Sequence, residues 1–358
     1  MRYVPTNCLK PGMICGKRIV GKNGQLLLNR GTVLQDSYIV KIKDLGYSGI
    51  YIDDQYSRDI MIDDIISDTL RANSVKAIKE LHTGIAGRKP DTLEKLDTIN
   101  VLVDEILSAV ISNKGLNVNL MDLKIFDDYT YYHSVNVGVL AVLVGTAMNM
   151  NRQVLHALGV SAMMHDIGKV FIPKEILNKP GRLDADEFEM MKSHSERGFN
   201  YLRDRYAFTD TTLDAILDHH ERNDGSGYPN GKAGNEISRF GRIIAIADVF
   251  DALTSDRPYR PAMSPSEAIE FIMAGADTSF DMHVLQAFLE RISPYSPGTT
   301  VRLSNNSTGI VLKNHRGSSL RPVIRVIREN GKEITPYDID LTHDRNTLGI
   351  TIIGTEDI

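Results

Sequence analysis

A histidine and an aspartate stand side by side in Met163-Met164-His165-Asp166-Ile167-Gly168-Lys169, directly after a run of apolar residues. Burying an ionised group is costly unless the group is paired, so the fold has to bring partners to this pair. An isolated His-Asp pair is common, because a buried histidine often satisfies its ring nitrogens with a carboxylate for structural reasons alone. The function therefore depends on which other side chains the chain places around this stretch.

Further histidines with a similar context occur on both sides of this stretch, each within a helical pattern. Asp248 follows the apolar run Ile243-Ile244-Ala245-Ile246-Ala247, where a carboxylate without a partner would be costly. Imidazole and carboxylate together favour Fe, Mn, Zn or Co, whereas Mg²⁺ prefers oxygen ligands. The candidate ligands are His133, His165, Asp166, His194, His219, His220 and Asp248.

Seven candidate ligands exceed the three or four that one catalytic ion takes, so the set predicts two ions bridged by Asp166 and a water. Each histidine taken alone is more simply a structural residue, and the prediction depends on the group. The remaining histidines lack this context and are assigned to structure or to the surface. They are His82, His156, His283, His315 and His343.

The composition is that of a soluble globular protein, with 358 residues, 42% apolar and 24% charged. This length predicts two or three domains. A net charge of -5 gives no overall basic field, so duplex nucleic acid is not expected as a partner, whereas a small anionic substrate remains open. Two cysteines, Cys8 and Cys15, and the lack of an apolar run of about 18 residues predict a cytoplasmic protein without membrane insertion.

Helical patterns dominate residues 59–292, with hardly any strand signal between them. Helices are predicted over 59–81 and 92–111, then around each candidate ligand, including one helix over 185–202 that carries His194. The Ile-rich and Leu-rich helices between 59 and 112 indicate either core packing, which is favoured, or the interface of a homodimer.

Short apolar runs and turn residues flank the helical region. Residues 1–55 predict a small α+β module, with a hairpin turn at Lys22-Asn23-Gly24-Gln25, a helix at 38–45 and a strand at 49–52. Residues 298–358 predict a small β module with a second hairpin turn at Glu329-Asn330-Gly331-Lys332. The predicted fold class is therefore mainly α, an all-helical catalytic domain between an N-terminal α+β module and a C-terminal β module.

Several separated motifs resemble the HD superfamily of metal-dependent phosphohydrolases, and in particular its HD-GYP cyclic di-GMP phosphodiesterases. The similarity covers about residues 120–290. The motifs are His165-Asp166-Ile167-Gly168-Lys169, His219-His220-Glu221-Arg222-Asn223-Asp224-Gly225-Ser226-Gly227-Tyr228-Pro229, Asp248-Val249-Phe250-Asp251-Ala252-Leu253-Thr254 and Arg257-Pro258-Tyr259-Arg260.

This resemblance implies a helical HD-type domain whose metal centre opens cyclic di-GMP to linear pGpG, and in some members on to GMP. It implies that the seven candidate residues are the metal ligands and that the ions are Fe or Mn, with Zn, Co or Ni as alternatives. Members with a third metal carry a glutamate one helical turn before the first histidine. Tyr129 stands at that position, with Asp127 and Asp128 the nearest substitutes, so two ions are predicted.

The predicted chemistry is hydrolysis by a bridging hydroxide that attacks phosphorus in line with the leaving 3′ oxygen. Asp166 would bridge the ions, and Lys169 would neutralise phosphate charge if the helix continues through it. Glu221 and Asp251 are expected to orient ligands rather than to bind metal. The candidate substrate contacts are Lys169, Asp224, Tyr228, Arg257 and Arg260.

Three functions remain open at this point. A cyclic di-GMP phosphodiesterase comes first, and a phosphodiesterase for another nucleotide, such as cyclic GMP-AMP, comes second, because the metals determine the phosphoester chemistry and not the base. A catalytically silent regulator that binds a cyclic dinucleotide comes third. Residues 1–55 would sense a signal, dock a partner such as a diguanylate cyclase, or only pack against the helices.

Overall fold

Two compact units make up the described part of the chain. The computed structural model describes residues 1–21, 25–62, 64–88, 92–113, 129–255, 262–315 and 317–356. One unit takes in the described residues of 1–68 and 289–358, and the other those of 69–113 and 129–288. We call them the β unit and the helical unit. The residues of the two predicted flanking modules thus share one unit, while the boundaries predicted from the sequence remain a prediction.

The fold is mainly α, as predicted. The helices are α1 (Asp36–Asp44), α2 (Asp68–Ala86), α3 (Thr92–Ser112), α4 (Tyr129–Ala147), α5 (Arg152–Met164), α6 (Lys174–Leu177), α7 (Ala185–Lys192), α8 (His194–Arg203), α9 (Asp210–Asp218), α10 (Arg239–Thr254), α11 (Pro265–Ala274) and α12 (Met282–Arg291). Short 3₁₀ helices include Ile167–Phe171. The strands are β1 (Arg2–Pro5), β2 (Ile14–Cys15), β3 (Ile19–Val20), β4 (Leu26–Leu28), β5 (Gly49–Asp53), β6 (Thr300–Leu303), β7 (Ser307–Lys313), β8 (Val323–Glu329), β9 (Lys332–Asp340) and β10 (Ile352–Thr355).

Helix α4 forms the centre of the helical unit. Residues 132–145 are buried all round the helix, as expected when nearly every side chain is apolar or small. α4 packs against α3, α5 and α10, and α9 packs against α5, α8 and α10. The polar side chains within 132–145 therefore face other helices and not solvent, which gives His133 its environment.

Side-chain caps define where the site-bearing helices begin. Asn151 accepts a hydrogen bond from the backbone N–H of Val154 at the start of α5. Ser238 does the same for Gly241 at the start of α10. Each cap stabilises its helix by about 1 kcal/mol. These caps help to place the far end of α5, with its His-Asp pair, and Asp248 on α10 at defined positions in the bundle.

The predicted helix over 185–202 is wrong in one respect, because it is broken at Ser193. The Ser193 hydroxyl donates to the carbonyl oxygen of Met190, and such local bonding competes with the helical backbone pattern. α7 ends at Lys192 and α8 begins at His194. His194 therefore lies at the junction between α7 and α8.

The predicted helix over 59–81 is also wrong at its start, because α2 begins only at Asp68. Ile60 and Ile62 instead pack in a cluster with Tyr51, Ile310 and Ile327 of the β unit. Here isoleucines at a helix-like spacing lie in a non-helical segment and are buried against strands. Tertiary burial thus overrode the periodic signal.

Antiparallel sheets form the β unit, with strand orders β1-β5-β2, β3-β4 and β10-β6-β7-β8-β9. The turn between β8 and β9 is confirmed, since Asn330 and Gly331 both adopt the positive φ that a type I′ turn requires. The turn between β3 and β4 lies outside the described residues, although those strands pair as predicted. Strand β9 was missed, because it is a largely exposed edge strand with Pro336 and little apolar pattern.

In the part of the chain that the structure describes, none of the helices combines the length and the apolar character that a membrane span needs.

The 3₁₀ helix Ile167–Phe171 lies against α8 at Gly168. A Cβ at Gly168 would lie 1.8 Å from the carbonyl oxygen of His194 and 2.6 Å from the backbone nitrogen of Gly198. Two stretches of backbone can approach so closely only where a side chain is absent. This approach brings the His165-Asp166 pair next to His194.

We predict that Gly168→Ala destabilises the protein by about 3 kcal/mol or more, because both clashing groups are backbone and cannot move aside. Chemical denaturation of the full chain measures the effect. Gly349→Ala is the matched control, since nothing lies within 4 Å of its added Cβ, and its stability should stay within about 0.5 kcal/mol of wild type. Equal stability of the two variants would show that the close approach does not exist.

Candidate metal centre

The seven candidate ligands come together in the helical unit, although they are far apart in sequence. His133 lies on α4, and Asp248 lies on α10. His165 is the last, C-capping residue of α5, and Asp166 follows it. His194 begins α8, and His219 and His220 follow α9. Side chains on or next to five helices therefore face one buried site.

Three of the histidines use the same local arrangement at the end of a helix. The last carbonyl groups of a helix have no partner within the helix, and here the Nδ1 of each imidazole supplies one. With Nδ1 carrying the proton, Nε2 is left as an acceptor that points into the site. The contacts are His165 Nδ1 to Ala162 O at 2.7 Å, His194 Nδ1 to Met191 O at 2.7 Å and His219 Nδ1 to Ile216 O at 2.8 Å.

Asp166 lies between two groups of ligand atoms. Asp166 belongs to both groups. The first also contains His133 and His165, and the second also contains His194, His219 and His220. The ligand atoms of each group lie within 4.8 Å of one another. Its Oδ2 is 3.4 Å from His165 Nε2 and its Oδ1 is 3.4 Å from His194 Nε2. A carboxylate with one oxygen in each group is the arrangement of a ligand that bridges two ions.

Asp248 reaches the site from α10. Its Oδ1 is 3.0 Å from His133 Nε2, and its Oδ2 is 3.9 Å from His220 Nδ1. Asp248 therefore contacts one histidine of each group. The carboxylate in this apolar segment thus has histidine partners, and a metal ion as its partner remains a prediction.

Burial and neighbouring charges keep most of these groups in the protonation state that binds cations. Burial lowers the pKa of His194 to about 4 and that of His220 to about 3. Burial alone would raise the pKa of Asp166, but Lys169 and the adjacent imidazoles outweigh it and hold that pKa well below its usual range. Neutral imidazoles and ionised carboxylates are the forms in which these side chains ligate metals.

His133 is held by a chain of side chains that ends on α2. Its Nδ1 lies 2.7 Å from Asp251 Oδ2, and Asn136 Nδ2 donates to Asp251 Oδ1 at 2.9 Å. Arg71 in turn donates to Asn136 Oδ1 at 3.0 Å. Burial would lower the pKa of His133, but the hydrogen bonds with Asp248 and Asp251 outweigh it and raise that pKa to about 9. Asp251 thus lies where a residue that orients His133 would have to lie.

Lys169 reaches the site although the helix that carries the His-Asp pair has ended. α5 stops at Met164, and Lys169 lies on the following 3₁₀ helix. Its Nζ is 2.5 Å from Asp166 Oδ2, and about a quarter of its side chain, 24%, is exposed. A cation at the edge of the centre can meet an anionic group that arrives from solvent.

The segment after His220 folds back over that histidine. The ring of Tyr228 stacks on the ring of His220, with centroids 4.7 Å apart and planes 29° apart. Glu221 is buried and accepts hydrogen bonds from the backbone N–H groups of Asn230 and Lys232. A Cβ at Gly227 would lie 2.3 Å from the backbone nitrogen of Arg222, so only glycine fits this turn.

The other predicted substrate contacts are less closely connected to the centre. Asp224 is exposed, and its Oδ1 accepts hydrogen bonds from the backbone N–H and the hydroxyl of Ser226 within its own turn. The substrate-contact candidates Arg257 and Arg260 lie outside the described residues. So do Asp127 and Asp128, the nearest substitutes for the glutamate of a third metal site.

Two further residues lie near the site: Arg71, which was not singled out in the sequence, and His82, which was assigned to structure or to the surface. Arg71 supports His133 through the chain described above, and His82 is buried against the ring of Tyr131 at 5.3 Å. Burial lowers the pKa of His82 to about 4, with smaller effects from the charges of Asp166 and Lys169. Both residues lie on α2, where no motif marks them and only the apolar stripe of that helix indicated burial.

The residues fit divalent transition-metal ions. Five imidazoles and two carboxylates are a donor set that suits Fe, Mn, Zn or Co. His165 Nε2 and Asp166 Oδ1 are buried and have no hydrogen-bond partner, although buried polar atoms are nearly always partnered. Cations bound among the seven ligands would supply the partners that these two buried atoms lack.

Comparison with known proteins agrees with this chemistry. Residues 121–284 match the HD domain family. A cyclic di-GMP phosphodiesterase of Pseudomonas aeruginosa is 38% identical over 240 residues, which cover 67% of this chain and 57% of the relative. A 3′3′-cGAMP-specific phosphodiesterase of Vibrio cholerae is 38% identical over 170 residues, which cover 48% of this chain and 38% of the relative. The chain thus spans little more than half of the first relative and less than half of the second.

A solved structure shows the same fold. It is that of Bd1817, a HDG"Y"P protein from Bdellovibrio bacteriovorus, which superimposes with a TM-score of 0.50 at 17% identity over 80% of this chain and 97% of that chain. At this identity the likeness concerns the fold alone. Together with the motifs around His165 and His219, the matches identify residues 121–284 as an HD domain of the HD-GYP type.

Proposed function

We propose that this chain hydrolyses the 3′-5′ phosphodiester bonds of cyclic di-GMP to pGpG, with GMP as a further product, using two divalent metal ions. The observation that carries the proposal is the pair of ligand groups that share Asp166. The names of relatives such as the Pseudomonas aeruginosa phosphodiesterase support the choice of substrate. The donor set and the resemblance favour Fe or Mn, with Zn, Co or Ni as alternatives.

In this proposal the seven ligands hold the ions, which when bound supply an activated water and neutralise phosphate charge. The chain's own residues do the rest. Asp251 holds His133 in one orientation, and the helix ends do the same for His165, His194 and His219. Lys169 meets a phosphate oxygen at the open edge of the centre, and Tyr228 lines the approach to His220.

A second candidate substrate is cyclic GMP-AMP. The Vibrio cholerae relative that is named 3′3′-cGAMP-specific is as identical, over its shorter match, as the cyclic di-GMP phosphodiesterase. Both dinucleotides carry the same phosphodiester linkage, so the metal centre itself does not distinguish them. A silent cyclic dinucleotide-binding regulator ranks third, because all seven ligand residues are present. A homodimer, a diguanylate cyclase partner and a cytoplasmic location remain predictions.

The first experiment is anaerobic purification with metal analysis, followed by chromatography of cyclic di-GMP and of 3′3′-cGAMP after incubation with the protein. We expect about two transition-metal ions per chain, and pGpG or GMP from cyclic di-GMP. In the His165→Ala, Asp166→Ala double variant, product should fall to roughly 1% or less and the metal content should fall by about two ions per chain, because each ligand group loses Asp166.

His283→Ala is the control, since His283 is exposed on α12 and outside both groups, and it should keep metal and activity. Chelation of the wild-type protein should abolish hydrolysis, and re-addition of Mn²⁺ or Fe²⁺ should restore it. Intact cyclic di-GMP with the metals bound would contradict the substrate, and hydrolysis that survives complete metal removal would contradict the mechanism.

A separate prediction concerns the residues that hold His133. Asp251→Asn should lower metal affinity or kcat by about 10- to 100-fold, because an amide no longer fixes the ring as a carboxylate does. KM should change little, since Asp251 is buried behind His133. Arg71→Ala should give a smaller effect of the same kind, because it acts through Asn136.

Arg152→Ala serves as the matched control for Arg71→Ala. Arg152 pairs with Asp104 on the surface of the helical unit, with about half of each side chain exposed, 52% and 53%. Loss of such a pair changes stability by at most about 1 kcal/mol and should leave kcat and metal content unchanged. If Asp251→Asn retained full metal affinity and kcat, the orienting role would be wrong.

A further inference from the structure

A second group of metal-binding side chains lies in the β unit. His315 follows the end of β7, Asp340 is the last residue of β9, and His343 lies in the turn after β9. Each offers a ligand atom within 4.8 Å of the other two. Neither histidine had a metal-binding context in the sequence, because His315 meets Asp340 and His343 only through the sheet.

The donor atoms are spaced as ligands of one ion are spaced. His315 Nε2 lies 3.0 Å and 3.1 Å from the two carboxylate oxygens of Asp340, and His343 Nδ1 lies 3.0 Å from Oδ2. Ligand atoms that lie about 2.0–2.2 Å from a shared ion, at the angles of a tetrahedral or octahedral site, are about 3.0–3.5 Å apart. A nitrogen almost equidistant from both oxygens also suits a bidentate carboxylate.

The rings converge as they do in the candidate metal centre. The planes of His315 and His343 are 81° apart, with centroids 4.5 Å apart. In the helical unit, His165 and His219 have nearly the same relation, 80° and 5.0 Å. Imidazoles that direct nitrogens at one point from perpendicular planes can ligate a single ion without their rings colliding.

The carboxylate is also held in place by backbone groups, independently of the two imidazole rings. Asp340 Oδ1 accepts hydrogen bonds from the backbone N–H groups of Thr342 and His343 at 2.9 Å and 3.1 Å. The hydroxyl of Thr347 donates to the backbone carbonyl of Asp340 at 2.9 Å. A preorganised carboxylate lowers the cost of assembling a site, and backbone donors of this kind support metal ligands in proteins.

Solvent can reach the group, because the side chains of His315, Asp340 and His343 are 20%, 29% and 68% exposed. Two imidazoles and one carboxylate, with water completing the coordination, suit Zn²⁺, Co²⁺, Ni²⁺ or Cu²⁺ and do not suit Mg²⁺ or Ca²⁺.

We propose that His315, Asp340 and His343 bind one divalent transition-metal ion of the Zn²⁺ class, at a site separate from the catalytic centre. In the sheet order β7-β8-β9, β7 and β9 are not neighbours. The ion therefore links the end of β7 to the end of the edge strand β9 across β8, and it also holds the turn that leads towards β10. Its role is to hold the ends of these strands together.

The test uses the full chain, stripped of metal by a chelator and dialysed to equilibrium against micromolar Zn²⁺. The His315→Asn, His343→Asn double variant should bind one Zn²⁺ per chain fewer than wild type. The single variant His343→Asn should weaken that site at least tenfold, and its exposed position leaves folding unaffected. His283→Asn, another exposed histidine, should bind the same amount of Zn²⁺ as wild type.

The same test in the His165→Ala, Asp166→Ala background separates this proposal from the proposed function. That variant should still bind one Zn²⁺, and the added His315→Asn and His343→Asn changes should remove it. Equal Zn²⁺ binding with and without these two changes would overturn the proposal and leave only a hydrogen-bonded His-Asp-His cluster. A further readout is thermal unfolding, in which Zn²⁺ should raise the midpoint of the His165→Ala, Asp166→Ala protein but not that of the quadruple variant.

Discussion

The buried carboxylate of Asp166 is the constraint on which the helical unit depends. It is 1% exposed and faces imidazoles of both ligand groups, while its Oδ1 has no hydrogen-bond partner. An ionised group in such a place costs several kcal/mol unless positive charge compensates it. Lys169 supplies part of that charge from one side, and two cations between the ligand groups would supply the rest. Binding of these cations would therefore stabilise the arrangement of helices that brings the ligands together.

The helix ends show how a helical bundle can make a precise site. A helix interior presents side chains on a fixed pitch, whereas a helix end has unpaired carbonyl groups that need donors. His165, His194 and His219 meet that need with Nδ1 and direct Nε2 inward, so one side chain both completes a helix and forms part of the centre. At the break at Ser193, His194 contacts the carbonyl oxygen of Met191 at the end of α7 while it begins α8.

Features that depend on local residue types could be predicted from the sequence, whereas much of the course of the backbone could not. The end of the helical region before Ser293 and the turn at Asn330-Gly331 were predictable, because each depends on local residue types. The seven candidate ligands lie close together, while their role as metal ligands remains a prediction. The non-helical course of residues 59–67 was not, since Ile60 and Ile62 are buried by strands distant in sequence. Strand β9 has little apolar pattern, and His315 and Asp340 meet only through the sheet. Long-range pairing of this kind leaves no periodic signal in the chain.

The position of Tyr228 limits what it can contribute to substrate choice. One face of its ring is stacked on His220, and Lys192 Nζ lies 5.8 Å from the ring centroid. A guanine base could stack only on a face that His220 leaves uncovered. The main contact of Tyr228 is therefore the packing of its ring against the His220 ring, which restricts the position of that histidine. Discrimination between guanine and adenine needs hydrogen-bonding groups that contact the base edge, and the face of an aromatic ring does not supply them. In the proposed function the seven ligands thus account for the phosphodiester chemistry, while base selection has to come from other side chains.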